Sequence, residues 1–160
     1  MRSEKYDAII LAAGVGKRFE SSKPKQYLKI NSKKLIDISV EKILKTKKIN
    51  NIYIVVAKNS IYMPLSNFSN IFLVTGGSTR TKSVYNALKF VSKSDFQSKN
   101  IIIHDAARPC VETKDINKLL IESKRLRVGA SLGYPLTNAL KKINNSLIVI
   151  KNIKRDNLYM

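Results

Sequence analysis

The chain alternates between short, uninterrupted apolar runs and longer stretches in which apolar residues recur every three or four positions. Residues 8–13, Ala8-Ile9-Ile10-Leu11-Ala12-Ala13, are continuous, apolar and closed by Gly14, which predicts a buried strand. Residues 52–57 and 71–74 predict a second and a third strand, the latter ended by Gly76-Gly77, and 100–104 and 128–134 a fourth and a fifth. Between them, residues 35–46 carry Leu35, Ile36, Val40, Ile43 and Leu44 at helical spacing. Residues 79–91 do the same with Val84, Leu88 and Val91. A third helix over 114–124, with Thr113 as N-cap, places Ile116, Leu119 and Leu120 on its buried stripe. Uniformly apolar strands alternating with helices predict an α/β fold, a mostly parallel Rossmann-like sheet with helices on both faces. Ligands of such sheets sit beyond the carboxyl ends of the strands. The loops after Ala13, Val74 and Ile103 are therefore the candidate site.

The last thirty residues change period. Residues 139–143 and 147–153 alternate about the turn Asn144-Asn145-Ser146, which predicts a protruding β-hairpin arm over about 136–156. With little left of the chain to pack on it, an arm of this kind suits a partner subunit. No repeat or linker divides the sequence, so a single domain over 1–160 is expected.

Composition narrows the class. At 160 residues, 44% hydrophobic and 26% charged, the chain can build one real core. Its apolar runs are too short to cross a bilayer, and AIILAAG is too short for a signal-peptide core. A single cysteine forms no internal disulfide, which makes a cytoplasmic setting the expectation. The net charge of +19 has two readings. One is a polyanionic partner; the other is a composition rich in Lys, Asn and Ile. The lysines are scattered and not interleaved with aromatics, so no specific nucleic-acid partner and no membrane is expected.

The three loops carry the chemistry. LAAGVGKRFESSKPKQY lacks the spacing of a Walker A loop, and Phe19 stands where a dinucleotide fingerprint needs its third glycine. What remains is Gly14-x-Gly16-x-Arg18 with Lys25 seven residues on: glycines for close backbone approach to phosphate, and two cations for a triphosphate. GGSTRTKSV again allows close approach, and Ser83 opens the next helix. HDAARPC offers Asp105 for Mg²⁺ or a hydroxyl and Arg108 as a fork for phosphate. A lone histidine at a strand end, His104, reads as packed and hydrogen-bonded. Cys110 reads as a small hydrophobe.

LAAGVGKRF, PKQYL, GGSTRTKSV, HDAARPCV and the closing Arg155-x-x-Leu158 together resemble the 2-C-methyl-D-erythritol 4-phosphate cytidylyltransferases, nucleotidyltransferases of non-mevalonate isoprenoid precursor synthesis. The resemblance runs from about Asp7 to the end. It implies transfer of a cytidylyl group from CTP to methylerythritol phosphate with release of pyrophosphate, Mg²⁺ as cofactor, and a homodimer joined through the arm. It implies catalytic roles for Arg18 and Lys25, which stabilise charge on the triphosphate, and for Arg155, which helps position the methylerythritol phosphate. It places Ala12, Ala13, Gly14, Gly16, Gly77 and Ser83 about the nucleotide, and Asp105, Ala106 and Arg108 near ribose, metal and the second substrate, with Asp105 as the metal ligand. No protein nucleophile or general base is required, because the attacking phosphate is already ionised.

Two departures matter. The family's Asp-Thr before the arm is Asn138-Ala139 here, which removes a hydroxyl that would touch the substrate phosphate. Family members also continue past this point with a TPQ-containing segment and further helices. The chain is accordingly expected to be incomplete at its C-terminus, or the front of a bifunctional fusion. The alternatives are a cytidylyltransferase for another polyol phosphate such as ribitol 5-phosphate, or a nucleotide-binding module without turnover.

Overall fold

The computed structural model of the chain describes residues 5–14, 23–46, 48–64, 69–94, 98 and 100–160. Its elements are β1 (Tyr6–Leu11), a 3₁₀ turn (Lys25–Tyr27), β2 (Lys29–Ile30), β3 (Lys33–Lys34), α1 (Leu35–Leu44), β4 (Ile49–Val56), β5 (Ile71–Thr75), α2 (Arg80–Val91), β6 (Asn100–Asp105), α3 (Thr113–Leu126), β7 (Leu140–Ile143) and β8 (Val149–Ile153). They fall into two compact units, Met1–Asn117 and Lys118–Met160.

The first unit is built on a four-stranded sheet in the order β5-β4-β1-β6, with every pairing parallel. One sheet face presents Ile9, Tyr53, Val55 and Val74 to Ala87 and Val91 of α2. On the other, Ala8, Ile10, Ile52 and Ile54 are fully buried, and α1 contributes buried Ile36, Val40 and Ile43. The stretches covered on both sides, residues 8–11 of β1 and 52–56 of β4, are apolar without a break, as burial on two faces requires. Each of the buried isoleucine and valine side chains contributes about 1.5–3 kcal/mol.

The buried stripe of α2 is Ser83, Ala87 and Val91, not the expected Val84, Leu88 and Val91; Leu88 is exposed. A row of small residues at i, i+4 lets this helix lie close to the sheet, and the larger side chains turn outward. Asp7, fully buried at the start of β1, accepts from the Asn51 amide and side chain and from the Ser98 amide and hydroxyl at 2.8–3.1 Å. These bonds pin β1 to β4 and to the segment entering β6.

Thr113 begins α3 as its first residue, and its hydroxyl donates to the Lys42 carbonyl (3.5 Å) rather than capping the helix. In the second unit, the strand expected over 128–134 is absent. That segment is exposed and lies in no sheet. Pairing begins only at its end, where Tyr134 and Met160 exchange backbone bonds of 3.2 and 3.0 Å and Leu136 donates to Leu158 (2.9 Å). An apolar run needs a neighbouring ladder to become a strand, and here the partner is the segment after the hairpin. The hairpin itself forms as expected: β7 and β8 are antiparallel, Leu140 opposite Ile153 and Lys142 opposite Lys151. Asn144 organises its turn by accepting from the amides of Ser146 and Ile148 (3.0 and 2.9 Å).

Candidate active site

In the sheet order, β4 and β5 lie on one side of β1 and β6 on the other. The chain therefore reverses direction across the sheet between β1 and β6, which opens a crevice at their carboxyl ends. The register sets Asp105 directly beside Leu11. The Ala106 amide then donates to the Leu11 carbonyl (3.0 Å) and the Ala12 amide to the Val55 carbonyl (2.7 Å), so these loops leave the sheet from a fixed base.

The first loop is held by a residue that sequence reasoning left without a role. Gln26 is buried, and its Nε2 donates to the carbonyls of Ala12 (2.7 Å) and Gly14 (2.8 Å). Two carbonyls thereby turn inward, onto the amide. Tyr27 stacks on Tyr62 with ring centroids 5.9 Å apart, and its hydroxyl lies 3.0 Å from Ser60 Oγ. Tyr62 in turn donates to Asp37 (2.7 Å); burial, and then that carboxylate, push its phenol well above the ordinary range. Lys25 sits exposed on the 3₁₀ turn between these anchors. The specificity of PKQY has this physical content: Gln26 clamps the loop and Tyr27 roots the turn, while Lys25 faces outward. Gly16 and Arg18 lie outside the described residues.

The second loop meets the first over the end of β4. A Cβ on Gly76 would lie 2.4 Å from the Ala13 Cβ and 3.1 Å from Ser83 Oγ, so only glycine allows this approach. Gly77 is equally confined, by Lys82. Ser83 does not open α2. Thr79 is the N-cap, accepting from the Lys82 amide (3.1 Å), and Ser83 stands one turn in. There it is buried, and its hydroxyl accepts from the Gly77 amide (3.0 Å). Its part is to shape the glycine turn from within.

The third loop brings Asp105 and Arg108 together, Oδ2 to Nε at 3.2 Å. Arg80, also unassigned from sequence, reaches Asp105 Oδ1 from the start of α2 with Nε and Nη2, both at 3.1 Å. Ala106 is buried, and its carbonyl accepts from Ser39 Oγ of α1 (2.9 Å). His104 is half-buried with Nε2 3.0 Å from the Arg108 carbonyl, packed and hydrogen-bonded as expected. Burial pushes its imidazole below the ordinary range, against the raising effect of that carbonyl. Cys110, which reads as a small hydrophobe, is exposed in the turn after β6. Arg155, in the second unit, donates through Nη1 to the Thr137 carbonyl and so closes the base of the hairpin. Asn138 and Ala139 are exposed just ahead of β7. Among the described residues no helix is long and apolar enough to cross a membrane.

A family model described as IspD, 2-C-methyl-D-erythritol 4-phosphate cytidylyltransferase, matches residues 7–160. A bifunctional enzyme IspD/IspF of Pelagibacter ubique is 40% identical over 153 residues, covering 95% of this chain and 40% of that protein. The 2-C-methyl-D-erythritol 4-phosphate cytidylyltransferase of Haemophilus influenzae strain PittEE is 38% identical over 154 residues, 95% of this chain and 66% of that one. The chain thus spans less than two thirds of the length of either relative. The crystal structure of the Francisella tularensis cytidylyltransferase superposes with a TM-score of 0.72 at 30% identity, covering 98% of this chain and 69% of that one. The match runs through all three motif loops: the chain belongs to the 2-C-methyl-D-erythritol 4-phosphate cytidylyltransferase family.

Proposed function

We propose that this chain transfers a cytidylyl group from CTP to 2-C-methyl-D-erythritol 4-phosphate, releasing pyrophosphate. The observation that carries the reading is the convergence of three loops on one crevice, in a chain matched to the family over residues 7–160. An oxygen of the sugar phosphate bonds to the α-phosphorus of CTP, and the bond from that phosphorus to the bridging oxygen of pyrophosphate breaks. The attacking oxygen carries no proton to remove, so the protein's part is to position and to neutralise charge. Lys25 and Arg18 serve the triphosphate. Backbone groups from Ala12 to Gly14 and at Gly16 and Gly77, shaped by Gln26 and Ser83, cradle the nucleotide. Arg108 and Ala106 face the second substrate, and Arg155 of the partner subunit, carried in on its arm, orients it.

Among the described residues no three His, Cys, Asp or Glu side chains gather as a metal cage. Asp105 offers a single carboxylate at the crevice, which suits Mg²⁺ held by one carboxylate and the remaining phosphate oxygens. When bound, Mg²⁺ neutralises phosphate charge. The chain further acts as a homodimer, supported by the exposed apolar residues Leu147, Ile148, Val149 and Ile150 on the hairpin.

The test is pyrophosphate release with Mg²⁺, CTP and methylerythritol phosphate, with ATP, GTP and UTP, and then ribitol 5-phosphate, as parallel substrates. Turnover should require CTP and methylerythritol phosphate, and Lys25→Ala should lower kcat about 100-fold or more, as loss of a group that stabilises transition-state charge does. Turnover with ribitol 5-phosphate in preference would transfer the assignment to that substrate. Nucleotide binding without turnover would overturn the catalytic reading.

A further inference from the structure

Asp105 enters the crevice already paired on both oxygens. Oδ1 faces Arg80 Nε and Nη2, each at 3.1 Å, and Oδ2 faces Arg108 Nε at 3.2 Å. The two guanidinium groups come from different loops, one opening α2 and one following β6. One carboxylate against two guanidinium groups leaves this cluster net positive. The proposed roles of Asp105 as cation ligand and Arg108 as phosphate fork therefore compete for the same oxygens, and Arg80 has no role at all.

The competition resolves if the events have an order. A divalent cation arriving alone meets a net positive cluster in which each Asp105 oxygen has a guanidinium partner. A triphosphate arriving alone meets two planar forks, 64% and 77% exposed, whose geometry matches phosphate oxygens. As a phosphate draws either fork away, an Asp105 oxygen is released beside a new concentration of negative charge. Both changes favour the cation. We infer that Arg80 is a positioning residue which, with Arg108, closes Asp105 to divalent cations until an anionic ligand takes up the guanidinium groups. Cation binding at this site then accompanies or follows nucleotide binding. The inference rests on the proposed role of Asp105 as cation ligand, and is independent of which sugar phosphate is the second substrate.

The experiment titrates Mn²⁺ into the nucleotide-free chain, with unbound Mn²⁺ read by its electron paramagnetic resonance signal. The native chain is compared with Arg80→Gln/Arg108→Gln and with the same pair combined with Asp105→Asn. Exposed ion pairs are individually weak, so the expected gain is modest: about three- to tenfold tighter Mn²⁺ binding in the double variant. The gain should vanish when Asp105→Asn is added. Arg80→Lys/Arg108→Lys, which keeps the charge and loses the forks, should fall between native and double variant, with circular dichroism confirming native secondary structure in each. Equal Mn²⁺ affinity in the native and the Gln variants overturns the inference, as does a gain that survives Asp105→Asn. Because the titration contains no CTP, its outcome does not depend on that of the pyrophosphate assay.

Discussion

Gly76 brings the second loop against Ala13 of the first, and it defines the site at the scale of single residues. Its place against Ala13 leaves no room for a methyl group, since the nearest carbon would be 2.4 Å away. Gly76→Ala should force the loops apart at a cost of about 1–3 kcal/mol, the usual range for overpacking. Thermal denaturation should show a lowered Tm, and CTP titration a weaker Kd, because Ala13 and Gly14 move with the displaced loop. An unchanged Tm would mean that the loops yield without cost and that the close approach is not required. Glycine pairs are visible in a sequence, but a contact between loops that lie far apart along the chain is not. Gln26 makes the same point. Within PKQY it is one polar residue among several, and only its two bonds to Ala12 and Gly14 identify it as the loop's clamp.

At the scale of elements, the periodicities that predict α1 and the sheet strands hold because each element buries a face against its neighbour, while α2 forms where expected but buries Ser83, Ala87 and Val91 instead of the stripe its larger side chains predict. They fail at 128–134, where an apolar run has no ladder to join. The hairpin is recoverable from its alternation and from the Asn144 turn. Its exposed apolar residues are not accounted for by contacts within its own strands, and the proposed homodimer covers them. Sedimentation of the native chain should therefore give twice the monomer mass. Ile150→Lys, at a position 57% exposed and so free to change without damage to the core, should shift it to the monomer. A native chain that sediments as a monomer at micromolar concentration would refute the dimer.

For the molecule as a whole, a net charge of +19 sets a long-range field. A CTP-utilising enzyme with two anionic substrates would be steered by it, and steering is screened once the Debye length falls to about 10 Å at 0.1 M salt. The ratio kcat/KM should fall several-fold between about 20 and 200 mM salt, with kcat nearly constant. A flat profile would assign the charge to composition alone. The sequence by itself determined the class of fold, since runs of apolar residues without alternation leave no stable place for those strands except a sheet covered on both faces. It determined the family too, through motifs whose residue types are tied to phosphate chemistry. Only the tertiary structure decided which strands are neighbours, and so that the crevice opens between β1 and β6. It alone decided that Arg80 and Arg108 meet on Asp105. Both are facts of register and of contacts between distant segments, and one chain read in order carries local propensity and pattern, not the distances between its loops.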